Sequence, residues 1–117
     1  MADYERKSFA TPDEVRTFPH GKVEIANFET GPIGRATYEP GWRWSSDIKP
    51  MAKTDWCQVN HAVYVVSGRI GIKMAGGAEF EIGPGEVATV APGHDGWVVG
   101  NEPCVAIDWG AISAFAK

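Results

Sequence analysis

The chain has 117 residues, of which 44% are hydrophobic, and this length and composition predict one domain with a single hydrophobic core. Its net charge of -4, with acidic and basic residues interspersed, gives no basic face and argues against a nucleic-acid partner. No apolar run has the length of a membrane span, residues 1–20 lack the apolar core of a signal peptide, and two cysteines do not make a disulfide scaffold. We therefore expect a soluble, cytoplasmic protein with reduced thiols and no membrane partner.

The start of the chain is expected to form a separate N-terminal segment, residues 1–21, in front of a main domain at residues 22–117. A hydroxyl side chain, a proline and two acids follow one another from Thr11 to Glu14. These are the residue types preferred at a helix cap and in the first helical turn. The sequence thus predicts one short helix over residues 12–17.

The remainder of the chain has the pattern of an all-β protein. Short runs of alternating apolar and polar residues are separated by glycine and proline turns, at the spacing of about 8–12 residues that is typical of a sandwich or barrel. Residues 46–54 are expected to form a loop, and the Ser67-Gly68 turn to join its two neighbouring strands in a hairpin. The nine expected strands cover residues 22–28, 33–39, 42–45, 57–66, 69–74, 79–82, 87–91, 97–99 and 104–109.

The longest of these runs contains a histidine in an apolar row. With a period of two, Cys57, His61, Val63 and Val65 lie on one face of the strand. On that face His61 is either a satisfied core residue or the anchor of a site, and Cys57 is either a ligand or a small buried hydrophobe. On a straight strand their α-carbons would lie about 13 Å apart, which argues against direct activation of the thiol by the imidazole.

Three short motifs have the spacing of a known family. They are Tyr64-Val-Val-Ser-Gly68, Ile82-Gly-Pro-Gly-Glu86 and Val90-Ala-Pro-Gly93, and together they resemble the two motifs of the cupin family. The resemblance extends over residues 33–109. It implies a double-stranded β-helix, which is a jelly-roll barrel with an internal pocket, and it implies a homodimer.

The same resemblance implies a metal site whose first motif is degenerate. Cupins typically hold one divalent metal with a His-X-His pair and a glutamate from the first motif. Counted back from Gly68, the glutamate position is His61 and the His-X-His positions are Asp55 and Cys57. Counted forward from the turn before the loop, the first histidine position is Asp47 instead. Neither alignment gives the standard ligands.

The second motif departs from the family pattern as well. Its histidine position is Gly96, but His94 lies two residues earlier, where Asp95 could orient the imidazole. A rearranged ligand set is therefore one hypothesis, for one ion of zinc, iron, manganese or nickel. The residues of that set would come from Asp47, Asp55, Cys57, His61 and His94.

Three functions are compatible with these patterns. The first is a barrel that binds a small, partly aromatic or apolar molecule between the walls Trp44, Tyr64 and Trp97, with His61 and His94 as polar contacts. The second is a metal-dependent oxygenase, isomerase or lyase whose ligands are arranged around His61. The third is a dimeric structural or interaction module that uses outward-facing aromatic side chains.

Overall fold

The computed structural model describes residues 2–109 and 112–116, and in these residues it contains nine β-strands, two short α-helices and one 3₁₀ turn. The strands are β1 (Glu14–Phe18), β2 (Gly21–Phe28), β3 (Gly31–Tyr38), β4 (His61–Ser67), β5 (Ile70–Met74), β6 (Glu79–Ile82), β7 (Val87–Val90), β8 (His94–Val98) and β9 (Cys104–Asp108). The helices are α1 (Trp44–Asp47) and α2 (Lys49–Ala52), and the 3₁₀ turn is Ile112–Ala114. None of the described helices has the length and apolar character needed to cross a membrane.

Every strand pairing between these elements is antiparallel. One sheet has six strands in the order β1-β2-β3-β9-β4-β7, and the other has three in the order β6-β5-β8. A single hydrophobic core contains side chains from both sheets, so the sheets pack face to face. The predicted all-β, jelly-roll class is confirmed.

Alternation along two neighbouring strands sends polar side chains into this core. On β9, Cys104, Ala106 and Asp108 are buried, while the residues between them are half-buried. On β4, His61 is buried at the beginning of the strand. The two strands pair with Val63 opposite Asp108, which brings the carboxylate and the imidazole to the same end of the barrel.

The helix predicted over residues 12–17 is wrong, because strand β1 occupies this segment. β1 pairs with β2 from Glu14, opposite Ile25, to Phe18, opposite Gly21. This pairing buries the ring of Phe18 in the core. Tertiary burial thus outweighs the local cap signals, which stabilise a helix by about 1 kcal/mol.

The segment around the two indoles also differs from the prediction. Residues 42–45 do not form a strand. Helix α1 begins at Trp44 and extends into the expected loop, which also contains α2. Trp42 and Trp44 are nevertheless both buried, whereas Arg43 between them is exposed and makes an isolated bridge with Trp97. The sequence also predicts one terminal helical turn over residues 111–117. The 3₁₀ turn Ile112–Ala114 lies in this segment, of which residues 111 and 117 lie outside the described ranges.

The predicted hairpin between β4 and β5 is wrong. β4 pairs with β7 and β9 in the large sheet, whereas β5 pairs with β6 and β8 in the small one. Gly68 lies where the chain crosses between the sheets and has a φ of +74°. A β-carbon there would lie 2.2 Å from the carbonyl oxygen of Pro103, so only glycine fits this crossing.

Gly68→Ala is therefore expected to lower the free energy of unfolding by more than about 2 kcal/mol, because it adds left-handed backbone strain to a clash with backbone atoms. The matched control is Gly76→Ala, because Gly76 has no neighbouring atom within 4 Å and no positive φ. Its effect should stay within about 0.5 kcal/mol. Urea denaturation of both variants measures the difference, and equal stabilities would contradict this account of the crossing.

Candidate functional site

Three side chains that can bind a metal meet inside the barrel. The sulfur of Cys57 and one ring nitrogen each of His61 and His94 all lie within 4.8 Å of one another. The three residues are only 2%, 9% and 4% exposed. Polar groups buried to this degree require partners, and here each of them has the others.

Cys57 reaches this cluster because the chain before β4 is not a straight strand. β4 begins only at His61, and Cys57 forms an isolated bridge with His94, to whose carbonyl oxygen it donates its N–H at 2.8 Å. Its sulfur lies 3.8 Å from Nε2 of His61. The expectation that the two residues lie too far apart for direct activation of the thiol is therefore wrong, because it assumed a straight extended strand.

A buried carboxylate holds the His61 ring in place. Nδ1 of His61 donates its proton to Oδ2 of Asp108 at 2.5 Å, and the N–H of Ala62 donates to Oδ1 at 3.4 Å. Asp108 is 2% exposed. Because Nδ1 is bonded to Asp108, the other ring nitrogen, Nε2, faces Cys57.

The His94 ring is oriented by the backbone rather than by the predicted carboxylate. Its Nδ1 lies 2.8 Å from the carbonyl oxygen of Ala91. Because a carbonyl oxygen only accepts hydrogen bonds, Nδ1 donates and Nε2 is left for the cluster. Asp95 instead accepts a hydrogen bond from the N–H of Ser45 at 3.0 Å and lies 3.6 Å from Arg43. The predicted role of Asp95 is wrong, because its side chain contacts Ser45 and Arg43 instead of the imidazole of His94.

The two central groups shift each other's ionisation. Burial alone would raise the pKa of Cys57, but hydrogen bonds from His61 and His94 outweigh it and lower that pKa to about 6. Burial likewise would lower the pKa of His61, but Asp108 and Cys57 raise it to about 9. At neutral pH the metal-free pair is thus a thiolate and an imidazolium.

An inner cavity of about 40 Å³ lies beside the cluster, and Cys57, His61 and His94 line it. Most of its other walls are apolar, and they include the predicted wall Trp44 together with Tyr38, Trp42 and Phe115. At about 10–15 Å³ for each water, the cavity holds about three water-sized groups. A complete aromatic ligand does not fit there.

A larger outer pocket of about 250 Å³ adjoins the inner cavity. The two share Trp44, Cys57 and Phe115 as walls. The outer pocket is formed by α2, the stretch before β4 and the end of the described chain. Its other apolar walls are Ile48, Met51, Val59, Ala114 and Ala116.

Two predicted ligands lie outside the cluster. Oδ2 of Asp47 accepts hydrogen bonds from Nδ1 of His20 and from the N–H of Arg43, both at 3.1 Å. Asp55 has a side chain that is 93% exposed and lies 3.9 Å from Nζ of Lys49. The structure therefore does not bring either aspartate to the metal-binding group.

Two predicted pocket walls lie elsewhere as well. Tyr64 is 38% exposed, because alternation on β4 turns it away from the face that carries His61. Trp97 stacks beneath the guanidinium of Arg43, 5.0 Å from its ring centroid, and packs against Gly71. Neither side chain lines the inner cavity or the outer pocket.

Asp108 and Trp42 are the important residues that the sequence analysis did not assign to the site. The signal for Asp108 was an acid in the inward-facing row of β9, directly after Cys104 and Ala106. For Trp42 the sequence leaves three alternatives open: a core residue, a residue of a dimer interface, or the wall of a ligand pocket. The structure shows that Trp42 is buried in the core and also lines the cavity.

Comparison with known proteins supports the fold and leaves the activity open. No family model and no curated protein matches the sequence. Oxalate decarboxylase from Lactobacillus farciminis, solved as a formate complex, has a TM-score of 0.59 and 19% identity over 81% of this chain and 30% of that chain. This chain therefore spans less than a third of that enzyme.

Two further similar structures match over most of both chains. The polyketide cyclase RemF from Streptomyces resistomycificus has a TM-score of 0.61 and 16% identity over 90% of this chain and 77% of that chain. A protein of unknown function from Rhizobium leguminosarum bv. viciae 3841 has a TM-score of 0.61 and 16% identity over 92% and 95%. The predicted cupin-type barrel is confirmed, and the likeness is one of fold alone.

The pKa shifts predict that the metal-free protein carries a thiolate at neutral pH. The ultraviolet absorbance of that thiolate should be present at pH 7.5 (about midway between the two pKa values) and should disappear as the pH falls through about 6. Cys57→Ser should abolish this transition. Cys104→Ser is the matched control and should keep it, because burial raises the pKa of Cys104 to about 11. A transition in wild type near the ordinary thiol value would contradict the assignment.

Proposed function

We propose that this protein is an enzyme that acts on a small molecule and holds one divalent transition-metal ion with Cys57, His61 and His94. The observation that carries the proposal is the convergence of their three ligand atoms within 4.8 Å beside a buried cavity. Oxalate decarboxylase and polyketide cyclase among the similar structures are enzymes by name. Their fold is therefore compatible with an enzyme, and the proposal itself depends on the residues of this chain.

The donor set fits a metal ion in its chemistry and spacing. One thiolate and two imidazoles are the donors that zinc and iron prefer and that nickel accepts, whereas manganese favours oxygen ligands. The 3.8 Å between Sγ of Cys57 and Nε2 of His61 is close to the roughly 3.5 Å between ligand atoms in a tetrahedral zinc site. Three protein ligands leave a position for substrate or water, as in catalytic sites.

The chain's own groups would position the ligands and exclude water. Asp108 fixes the tautomer of His61, and the carbonyl of Ala91 fixes that of His94. Burial, followed by the charge of Asp108, raises the pKa of Tyr38 well above 10.0, so its hydroxyl stays protonated beside the cavity. A bound ion would supply Lewis acidity toward a substrate oxygen.

A second function follows from the same residues without a metal. Cys57, His61 and Asp108 stand in the order of a nucleophile, a base and an orienting acid, with the pKa of Cys57 lowered to about 6. Covalent catalysis by the thiolate is therefore the alternative. It differs from the first proposal in requiring no metal for activity.

The proposed homodimer concerns a different surface. Tyr64, Val66, Val87 and Trp109 are exposed apolar residues on or next to strands of the large sheet. A second copy of the chain that packed there would bury them. This contact is separate from the metal proposal and does not depend on it.

The metal proposal predicts close to one equivalent of zinc or iron in protein purified without chelator or metal-affinity resin. Cys57→Ser and His94→Asn should each reduce the bound metal to less than about a tenth, because two protein ligands hold an ion weakly. Cys104→Ser and His20→Asn are the matched controls and should keep it, since neither residue belongs to the group. Elemental analysis measures the content. Wild type that is metal-free and binds none on titration would refute the proposal.

Asp108 is predicted to support the metal site through His61. Asp108→Asn should weaken metal binding by about 10–100-fold, because the amide no longer accepts the Nδ1 proton with a negative charge. The matched control is Asp47→Asn, which removes a carboxylate that lies outside the group and should leave the affinity unchanged. Competition against a chelator of known affinity measures both. Equal affinities of the two variants would show that Asp108 plays no such role.

A further inference from the structure

Trp42, which lines the inner cavity, carries a buried hydrogen-bond donor that has no partner in the described part of the chain. Trp42 is 3% exposed and lines this cavity, and its Nε1–H has no hydrogen-bond partner among the described residues. Its backbone is fully bonded, because its N–H donates to Glu39 at 3.0 Å and its carbonyl accepts from Val98 at 3.0 Å. The backbone of Trp42 is therefore held in place, while the indole donor is unused. Buried donors are rarely left without an acceptor, so this one indicates an acceptor that comes from a ligand.

The outer pocket supplies a place for the rest of such a ligand. Met51, Ile48 and Val59 make it apolar, and Cys57 and Phe115 line both this pocket and the cavity that Trp42 lines. A molecule with a small polar head and an apolar chain would extend from one space into the other. The inner cavity, at about 40 Å³, limits the head to a few atoms.

The charges around both spaces exclude highly charged ligands. Among the residues that the structure describes, no lysine or arginine lines the inner cavity or the outer pocket. The buried carboxylate of Asp108 already lies among the walls of the inner cavity. A bound metal ion would pair with one charge of a dicarboxylate, but the second charge would lie in the apolar outer pocket, where no cationic side chain of the described residues pairs with it.

We propose that Trp42 selects the substrate by donating its indole N–H to an oxygen of a small uncharged amphiphile, whose apolar chain fills the outer pocket. This inference rests on the proposed function, because the oxygen would lie in the cavity beside the metal ligands. It adds a substrate class, namely an apolar-chain amide, ketone or alcohol, and a specificity-determining residue. Trp42 donates to the oxygen in the bound state, and Met51 and its neighbours contact the chain.

Calorimetric titration of the zinc-loaded protein with three probes tests the substrate class. Pentanamide has the uncharged head and the apolar chain, acetamide has the head alone, and glutarate has a chain with two charges. Pentanamide should bind about fifty-fold more tightly than acetamide, from the burial of three methylene groups, and glutarate should not bind measurably. Equal binding of pentanamide and acetamide, or tighter binding of glutarate, would overturn the inference.

Two substitutions test the residues. Trp42→Phe should weaken pentanamide binding about ten-fold and leave the zinc content unchanged, whereas Trp97→Phe, outside both spaces, should leave both unchanged. Met51→Glu should weaken pentanamide about ten-fold and leave acetamide unchanged. If Trp42→Phe does not fold, the indole N–H signals of wild type decide: one of the five tryptophans should shift on addition of pentanamide, and no shift would overturn the role of Trp42.

The same titrations on metal-free protein separate this inference from the metal proposal. Zinc binding without any binding of pentanamide refutes the inference and leaves the metal site standing. Binding of pentanamide with the expected dependence on Trp42, in a protein that binds no zinc, supports the inference and refutes the metal proposal. Absence of both kinds of binding refutes both.

Discussion

The buried carboxylate of Asp108 is the constraint on which the rest of the site depends. It is 2% exposed, and a charge at such a position needs a partner, because breaking a buried pair costs about 3–5 kcal/mol. Its partner is His61, 2.5 Å away on the neighbouring strand. The N–H of Ala62 also donates to it, and the N–H of Trp109 donates to the carbonyl of Ala62 at 2.8 Å. The backbone hydrogen bonds between β4 and β9 and the side-chain pair of His61 and Asp108 thus stabilise the same end of these strands. They also determine which ring nitrogen of His61 faces Cys57.

This pair and the thiol form one unit whose charges respond to pH in opposite directions. The raised pKa of His61 stabilises the fold fully below its ordinary 6.5, and this contribution is lost as the pH rises through about 9. The lowered pKa of Cys57 contributes fully above its ordinary 9.0, and that contribution is lost as the pH falls through about 6. Between these two folded-state pKa values, Cys57 and His61 together bind about one proton in the folded chain and about one in the unfolded chain. Cys57 and His61 together therefore add little net pH dependence to the free energy of unfolding, although one proton moves from the sulfur of Cys57 to the ring nitrogen of His61 on folding.

The sequence predicted most strands because each presents one face to the core, as the row Cys104, Ala106 and Asp108 does on β9. It failed where the deciding contact lies far along the chain. The Ser67-Gly68 turn has the residues of a hairpin, but the sheet that the next strand joins is decided by the close approach of Gly68 to Pro103. The cap signals after Thr11 favour a helix by about 1 kcal/mol, less than the pairing of β1 with β2 and the burial of Phe18 supply.

In the site, too, some residues can be identified from sequence motifs, and one can be identified only from tertiary contacts. Cys57, His61 and His94 could be found because they lie in or next to the cupin-like motifs, whereas Asp108 lies outside both and becomes visible only through the pairing of β9 with β4. That missed residue also changes the chemistry. Asp108 and the Cys57 thiolate give the metal-free site two negative charges, and within the described part of the chain only the proton of His61, with no lysine or arginine side chain, lies among the cavity walls to balance them. A divalent ion would balance both charges and displace the proton shared by Cys57 and His61, so metal binding and proton binding compete for the same buried charge.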